Sequence, residues 1–255
     1  MQAQSLAALL IFSVPYGAVP QQQSGTIIVF RVTPVEAIVA ADSLERETYK
    51  GKTVRTHSVC KILVFDNKYI FAASGYSGRH FGRSPWDLSQ ITKEMYRTGN
   101  ISSTGDFANL WTSKMHTILI RDYKIFPPPV HEGNTILSAI FIGIKGNEID
   151  ARSRIFHSEN SGHPSLEAQV ITANGEDTAM GEDNIILEFK ANKTTRAGQW
   201  HERIDMLTPE VRMVALVKLV EEFNHSGGVG GDIDSVRIST LKQVEWLTGK
   251  RKCRK

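Results

Sequence analysis

No apolar run in this chain is long enough to cross a bilayer. The run from Leu6 to Val14 falls well short of the roughly 20 residues a membrane-spanning helix needs, so no integral membrane segment is expected. Cysteine is nearly absent, with two in 255 residues, Cys60 and Cys253. Two cysteines far apart do not make a disulfide framework. Neither stands at metal-ligand spacing from a histidine, so no structural zinc or other metal is expected. Cys60 reads as a small buried apolar residue in a strand-like run, and Cys253 as part of a mobile tail. The eight histidines are scattered, and no two stand four residues apart. The glycine-rich stretch from Gly227 to Asp232 lacks the strand–GxGxxG–helix context of a nucleotide loop. No repeat of solenoid period is present, and no cofactor is expected. Excess charge is also small, at +3, and its one basic cluster is the tail Lys250–Lys255, so no nucleic-acid partner is expected.

What is present is ordinary globular material. Hydrophobic residues make up 41% and charged residues 22%, enough for one large core or two small ones. Residues 1–18 combine an apolar run of signal-peptide length with small residues after it. Residues 1–5 carry no Lys or Arg, and Tyr16 sits where a small residue should precede a cut after Ala18, so export and a cytoplasmic location both stay open. Residues 19–25 are polar and proline-marked, which suits an exposed linker open to processing.

The stretch from Gly25 to Gly78 is densest in pattern. TIIVFRV (26–32) and EAIVAAD (36–42) are β-branched or apolar runs separated by Thr33-Pro34-Val35. SVCKILVF (58–65) and YIFAASG (69–75) repeat the arrangement around Asp66-Asn67-Lys68. Each pair predicts an antiparallel hairpin. Lys61 stands between Cys60 and Ile62-Leu63-Val64. An ammonium desolvated there needs a carboxylate partner, and Asp42 is the nearest carboxylate at a strand end.

Two helices should follow, covering one face of the sheet. Leu88, Ile91 and Met95 have helical period over 87–97, with Ser84-Pro85 as start signal. GNISSTGD (99–106) reads as a loop, and a second amphipathic helix runs from Phe107 towards the Pro127–Pro129 stop. Ile136 to Ile144 is nearly continuously apolar, as in a strand covered on both faces, and a turn at 145–148 leads into an alternating strand to Phe156. Residues 157–183 are hard to read beyond a strand at Glu167–Thr172, and 186–192 fits either strand or helix. Thr208-Pro209-Glu210 opens a mostly buried helix through Phe223. A glycine-rich turn and an alternating strand end the pattern at Thr240.

The segment around Thr26, Asp42, Lys61 and Gly75 resembles the start of a proteasome β-type subunit, a member of the N-terminal nucleophile (Ntn) hydrolases. Gly25-Thr26 matches the self-cleaved junction that frees the catalytic threonine. Ala40-Ala41-Asp42 matches the family's aspartate. Lys61 matches its lysine, after a somewhat longer loop, and Gly75 matches the glycine whose N–H helps form the oxyanion hole. Ala73 falls at a position that shapes the specificity pocket, and a small residue there implies a deep pocket for bulky apolar or basic side chains. Ser226 is the matching supporting serine, although no aspartate precedes it at the family's distance and Glu222, Asn224 and Asp232 are the nearest substitutes. A second supporting serine cannot be placed in 170–185, where Gly175 and Gly181 are the landmarks.

The resemblance implies an α+β fold, a four-layer α-β-β-α sandwich of two mainly antiparallel sheets. It divides the chain into a leader over 1–25, one domain over 26–240 and a basic tail over 241–255. It implies a threonine peptidase or amidase acting on a peptide or protein and assembled as a homo-oligomer or a ring with related subunits. A threonine hydroxyl is a weak nucleophile, and the α-amine released at Thr26 would act as its base. Lys61 would keep the local field positive, and Asp42 would hold Lys61. A non-catalytic structural subunit and an exported amidase with a small-molecule substrate are the alternatives.

Overall fold

A computed structural model describes residues 21–23, 26–49, 52–79, 85–125, 135–159, 163–181, 184–192, 194–223 and 229–248. In chain order its elements begin with β1 (Gln21–Gln23), β2 (Ile27–Val32), β3 (Glu36–Asp42), β4 (Leu44–Tyr49), β5 (Lys52–Ser58), β6 (Ile62–Phe65), β7 (Tyr69–Gly75), β8 (Gly78–Arg79) and β9 (Trp86–Asp87). Helices α1 (Leu88–Thr98) and α2 (Thr104–Ile125) follow, then β10 (Thr135–Lys145), β11 (Glu148–His157), β12 (Ser165–Val170) and β13 (Asp177–Gly181). The chain continues through α3 (Asn184–Ala191), α4 (Arg196–Asp205), α5 (Pro209–Phe223), β14 (Ile233–Ser239) and β15 (Gln243–Thr248).

Two five-stranded antiparallel sheets carry the fold, in the orders β12-β11-β10-β7-β6 and β13-β2-β3-β14-β15. Strand periodicity explains how they stack, because neighbouring side chains leave opposite faces. Along β2 and β3, Ile28, Phe30, Ala37 and Val39 meet Ile62, Ile70, Ala72, Ile140 and Ile142 of the other sheet. The alternate residues Ile27, Val29, Ile38 and Ala40 pack instead on Met213, Leu216, Val217 and Val220 of α5. On the far side Phe71, Ala139 and Phe141 pack on Phe107, Trp111 and Met115 of α2. Each large aromatic or aliphatic side chain among these, fully withdrawn from water, contributes roughly 1.5–3 kcal/mol. Three apolar interfaces between four layers make the expected α-β-β-α sandwich, and β10 is apolar over most of its length because both its faces are covered.

The two hairpins read from the sequence are formed, β2 with β3 and β6 with β7. At the second turn Asp66 and Asn67 both have positive φ, 50° and 52°, the conformation that matches the twist of a tight hairpin. Other segments differ from expectation. The strand expected from Ser58 is divided: Ser58 closes β5, and β6 starts at Ile62. The polar segment between β3 and β6 forms a hairpin of its own, β4–β5, extended by β1 into a small third sheet. Helix α1 is capped by Asp87, whose side chain accepts the Gln90 N–H at 2.7 Å, and α2 starts inside the expected loop, at Thr104. Residues 186–191 are helical, and α4, capped by Thr195, and β13 fill stretches without a clear pattern. Strand β15 brings 243–248, assigned from the sequence to the tail, into the second sheet.

Candidate active site

The antiparallel pairing of β2 with β3 places the start of one beside the end of the other. Thr26 immediately precedes β2 and Asp42 closes β3, so residues far apart in sequence become neighbours by register alone. Lys61 stands just before β6 in the facing sheet. Its ammonium reaches both Asp42 carboxylate oxygens, at 3.0 and 3.1 Å, with Asp42 1% and Lys61 7% exposed. The ion pair expected from the desolvated lysine is therefore present, and it bridges the two sheets.

Asp42 does more than hold Lys61. Its Oδ1 also accepts the Ile27 N–H at 3.0 Å, and its Oδ2 accepts the N–H groups of Gly230 at 3.1 Å and Leu44 at 3.3 Å. Burial pushes this carboxyl up, while the Lys61 ammonium and the Gly230 and Ile27 N–H groups pull it back down. One oxygen thus joins Lys61 to the peptide that leaves Thr26. The Thr26 side chain is itself enclosed, with the residue 2% exposed, and its Oγ1 has no hydrogen-bond partner among the described residues. An enclosed hydroxyl without a partner normally costs stability, a condition Thr26 Oγ1 shares among the described residues with the Tyr69 and Thr104 hydroxyls.

Gly75 ends β7 with φ +100°, and a Cβ there would lie 2.3 Å from the Ile136 carbonyl oxygen. The close approach that requires glycine is thus to the neighbouring strand, a reason the sequence reading did not supply. Gly75→Ala is expected to destabilise the chain by about 2 kcal/mol or more through this clash and the left-handed φ, which a thermal melt checks. The residue before it, Ser74, shares a 2.6 Å hydrogen bond with Ser138. A Cβ added to Gly181 would meet both Ser74 Oγ, at 3.1 Å, and the Thr26 carbonyl oxygen, at 1.9 Å. The end of β13 therefore presses on Thr26, with the serine pair alongside. Ser74, Ser138, Gly181 and Gly230 are the parts of this neighbourhood without an assigned role in the sequence reading. Gly181 and the glycine-rich turn stood out there as landmarks, and Ser74's place beside Gly75 was the available signal for the serine.

Ala73 does line a cavity with Lys61, but its space is only about 30 Å³, enough for a water molecule rather than a bulky side chain. Glu45, also enclosed, takes up part of the wall, held by Ser77 Oγ and by His57 Nε2 at 2.8 Å. Among the described residues the space beside Ala73 is therefore small. Ser226 and Asn224 lie outside the described residues. Glu222 is on the surface, paired with Arg196 at 3.2 Å, and Asp232 is exposed. Among the described residues no group of three His, Cys, Asp or Glu is placed to hold a metal ion, and no helix is long and apolar enough to cross a membrane.

Cys60 corrects the sequence reading. It is not a free buried thiol but half of a disulfide, and the chain has one other cysteine, Cys253, outside the described residues. Two cysteines so far apart carry no spacing signal, so a bond at Cys60 is not legible in the sequence. Cys60→Ser is expected to cost about 2–4 kcal/mol of stability. Urea unfolding with and without reductant checks this, since the substitution should remove the response to reductant.

No family model and no curated protein matches the chain. Among solved structures, it is similar to a Gly-1 mutant of Anbu from Hyphomicrobium sp. strain MC1, with 14% identity, 90% of each chain covered and a TM-score of 0.50. Anbu has a proteasome-like Ntn fold, and the likeness is one of fold.

Proposed function

We propose that this chain is a threonine-dependent hydrolase of the proteasome-like Ntn type, processed by itself at Gly25-Thr26. The observation that carries the proposal is the enclosed Thr26 hydroxyl, without a partner among the described residues and one peptide from a buried Asp42–Lys61 ion pair. In processing, Thr26 Oγ1 attacks the Gly25 carbonyl carbon. The Gly25–Thr26 amide breaks, the nitrogen takes the hydroxyl's proton, and the resulting ester is hydrolysed by water. The freed α-amine then accepts the hydroxyl proton when Oγ1 attacks a substrate amide, and returns it to the leaving amine. Lys61, held by Asp42, keeps the field around the oxygen positive and stabilises the developing alkoxide. In this reading the Gly75 N–H serves the oxyanion, residues 1–25 are a leader, and the domain runs from Thr26 to Thr248. The similarity to Anbu favours assembly into an oligomer of such subunits.

One observation favours the exported variant, an amidase or peptidase outside the cytoplasm. A disulfide at Cys60 belongs in an oxidising compartment. The placing of the Thr26 hydroxyl beside the buried ion pair favours the catalytic reading over a purely structural subunit. Intact-mass analysis of the purified protein tests the proposal. The expected species begins at Thr26 and gains the mass of a threonine-directed covalent inhibitor. A protein that hydrolyses peptides with the Gly25-Thr26 bond uncut would overturn it.

A further inference from the structure

A second site is built on Arg154, on the outer face of the first sheet. Six described arginines, Arg31, Arg121, Arg152, Arg196, Arg212 and Arg237, each have a carboxylate within ion-pair distance. Arg154 is only 6% exposed, yet its hydrogen bonds go to neutral acceptors, the Ser153 carbonyl at 2.7 Å and Asn109 Oδ1 at 2.9 Å. No carboxylate among the described residues pairs with it. Burial and the nearby charge of Arg152 act together to disfavour its cationic form. A buried cation in such a place costs stability unless an anion joins it.

Arg154 also lines a cavity of about 330 Å³, within the usual range of ligand pockets. The cavity lies where α2 meets the β11–β12 edge, and it shares no lining residue with the cavity beside Lys61. Its other walls divide by chemistry. Asn109, Thr112 and His116 stand on α2, while Pro164, Leu166 and Ala168 offer an apolar floor. Ala168 lies directly across the sheet from Arg154, and Leu166 across from Phe156, so the floor runs outward from the guanidinium along the edge strand. Only two of the five guanidinium N–H groups are used by Asn109 and Ser153, which leaves donors for a planar anion. A single positive charge matches a monoanion, and the apolar floor matches a hydrocarbon body. The polar cavity between Arg31 and Arg212 differs, because Asp177 already pairs with both arginines.

We propose that this cavity binds an aliphatic monocarboxylate, with its carboxylate on Arg154 and its chain along Leu166 and Ala168. Free short-chain fatty acids and the C-terminal carboxylate of a peptide share that chemistry. The test titrates the full chain with hexanoate and with acetyl-glycyl-leucine, each against its neutral amide. The His116 imidazole signals report binding, because that ring lines the cavity and stacks on Phe156 at 6.2 Å. The expected result is a saturable shift with at least one carboxylate, weaker by about tenfold or more for its amide. Hexanoate alone would identify the free acid as ligand, and the peptide alone a chain terminus. Arg154→Met should abolish the shift and leave the melting temperature unchanged or raised, because it removes a buried charge that no carboxylate among the described residues balances. Equal binding of acids and amides, no saturable shift, or an Arg154→Met variant that melts lower and binds as before would overturn the proposal.

Discussion

Asp42→Ala is expected to lower the stability of the folded chain by about 3–5 kcal/mol, the cost of leaving one member of a buried ion pair alone. Lys61 would remain enclosed opposite a methyl group, and the N–H groups of Ile27, Gly230 and Leu44 would lose their shared acceptor. A typical domain has only about 5–15 kcal/mol to lose, so this one substitution brings the chain close to unfolding at ambient temperature. Lys61→Met should cost less. It removes the cation whole, fills the volume with an apolar chain, and leaves Asp42 with its three backbone donors. The double variant Asp42→Ala, Lys61→Met should therefore recover part of the loss seen with Asp42→Ala alone. Urea denaturation of the three variants decides the matter. Strictly additive losses would mean that the two side chains are not energetically coupled despite their contact.

Thr26→Ala should have the opposite profile, a very large effect on activity and almost none on stability. If Thr26 is the nucleophile, kcat/KM for a peptide amide should fall by at least about 10⁴-fold, and the Gly25-Thr26 bond should stay uncut. The fold should change by less than about 1 kcal/mol. The hydroxyl has no hydrogen bond to lose among the described residues, and removing an enclosed polar atom offsets the lost methyl contacts. Thr26→Ser should retain partial activity, since it keeps an oxygen in place. In the processed protein, kcat/KM should rise with pH as the α-amine loses its proton, around its ordinary value of about 8. Full turnover by Thr26→Ala, or a loss of several kcal/mol without loss of activity, would remove Thr26 from the mechanism and leave a structural role.

The two variants separate what Asp42 and Thr26 do from where they lie. Lys61 was legible because a cation inside an apolar run needs a partner, and Asp42 because it is the nearest carboxylate at a strand end. Both inferences follow from desolvation, which acts on a residue through its immediate neighbours. Ser74 and Gly181 had no such local cue. A serine near a strand end and a glycine in a polar stretch have many ordinary uses, and only the packing of β13 and β7 around Thr26 distinguishes these. Arg154 shows the same limit. In sequence it is one of two arginines in an alternating strand, and only its neighbours reveal that no carboxylate among the described residues pairs with it.

The hairpins β2–β3 and β6–β7 and the helices α1, α2 and α5 were readable because apolar residues mark the faces they bury, and β10 because its apolar run is nearly continuous. The β4–β5 hairpin and β13 were not, because LERETY, KTVRTHS and DTAMG have no strong apolar face and take their conformation from what they rest against, and α4 escaped because only Ala197, Trp200 and Ile204 are apolar along its face. The amino-acid order alone determined the alternating strands and a lysine in need of a carboxylate, and the family resemblance it carries implied the four-layer arrangement. The tertiary structure decided which glycines press on Thr26, how little room the described residues leave beside Ala73, and that Cys60 is bonded. Burial patterns are written along the chain, residue by residue, whereas contacts between distant segments exist only once the sheets have stacked.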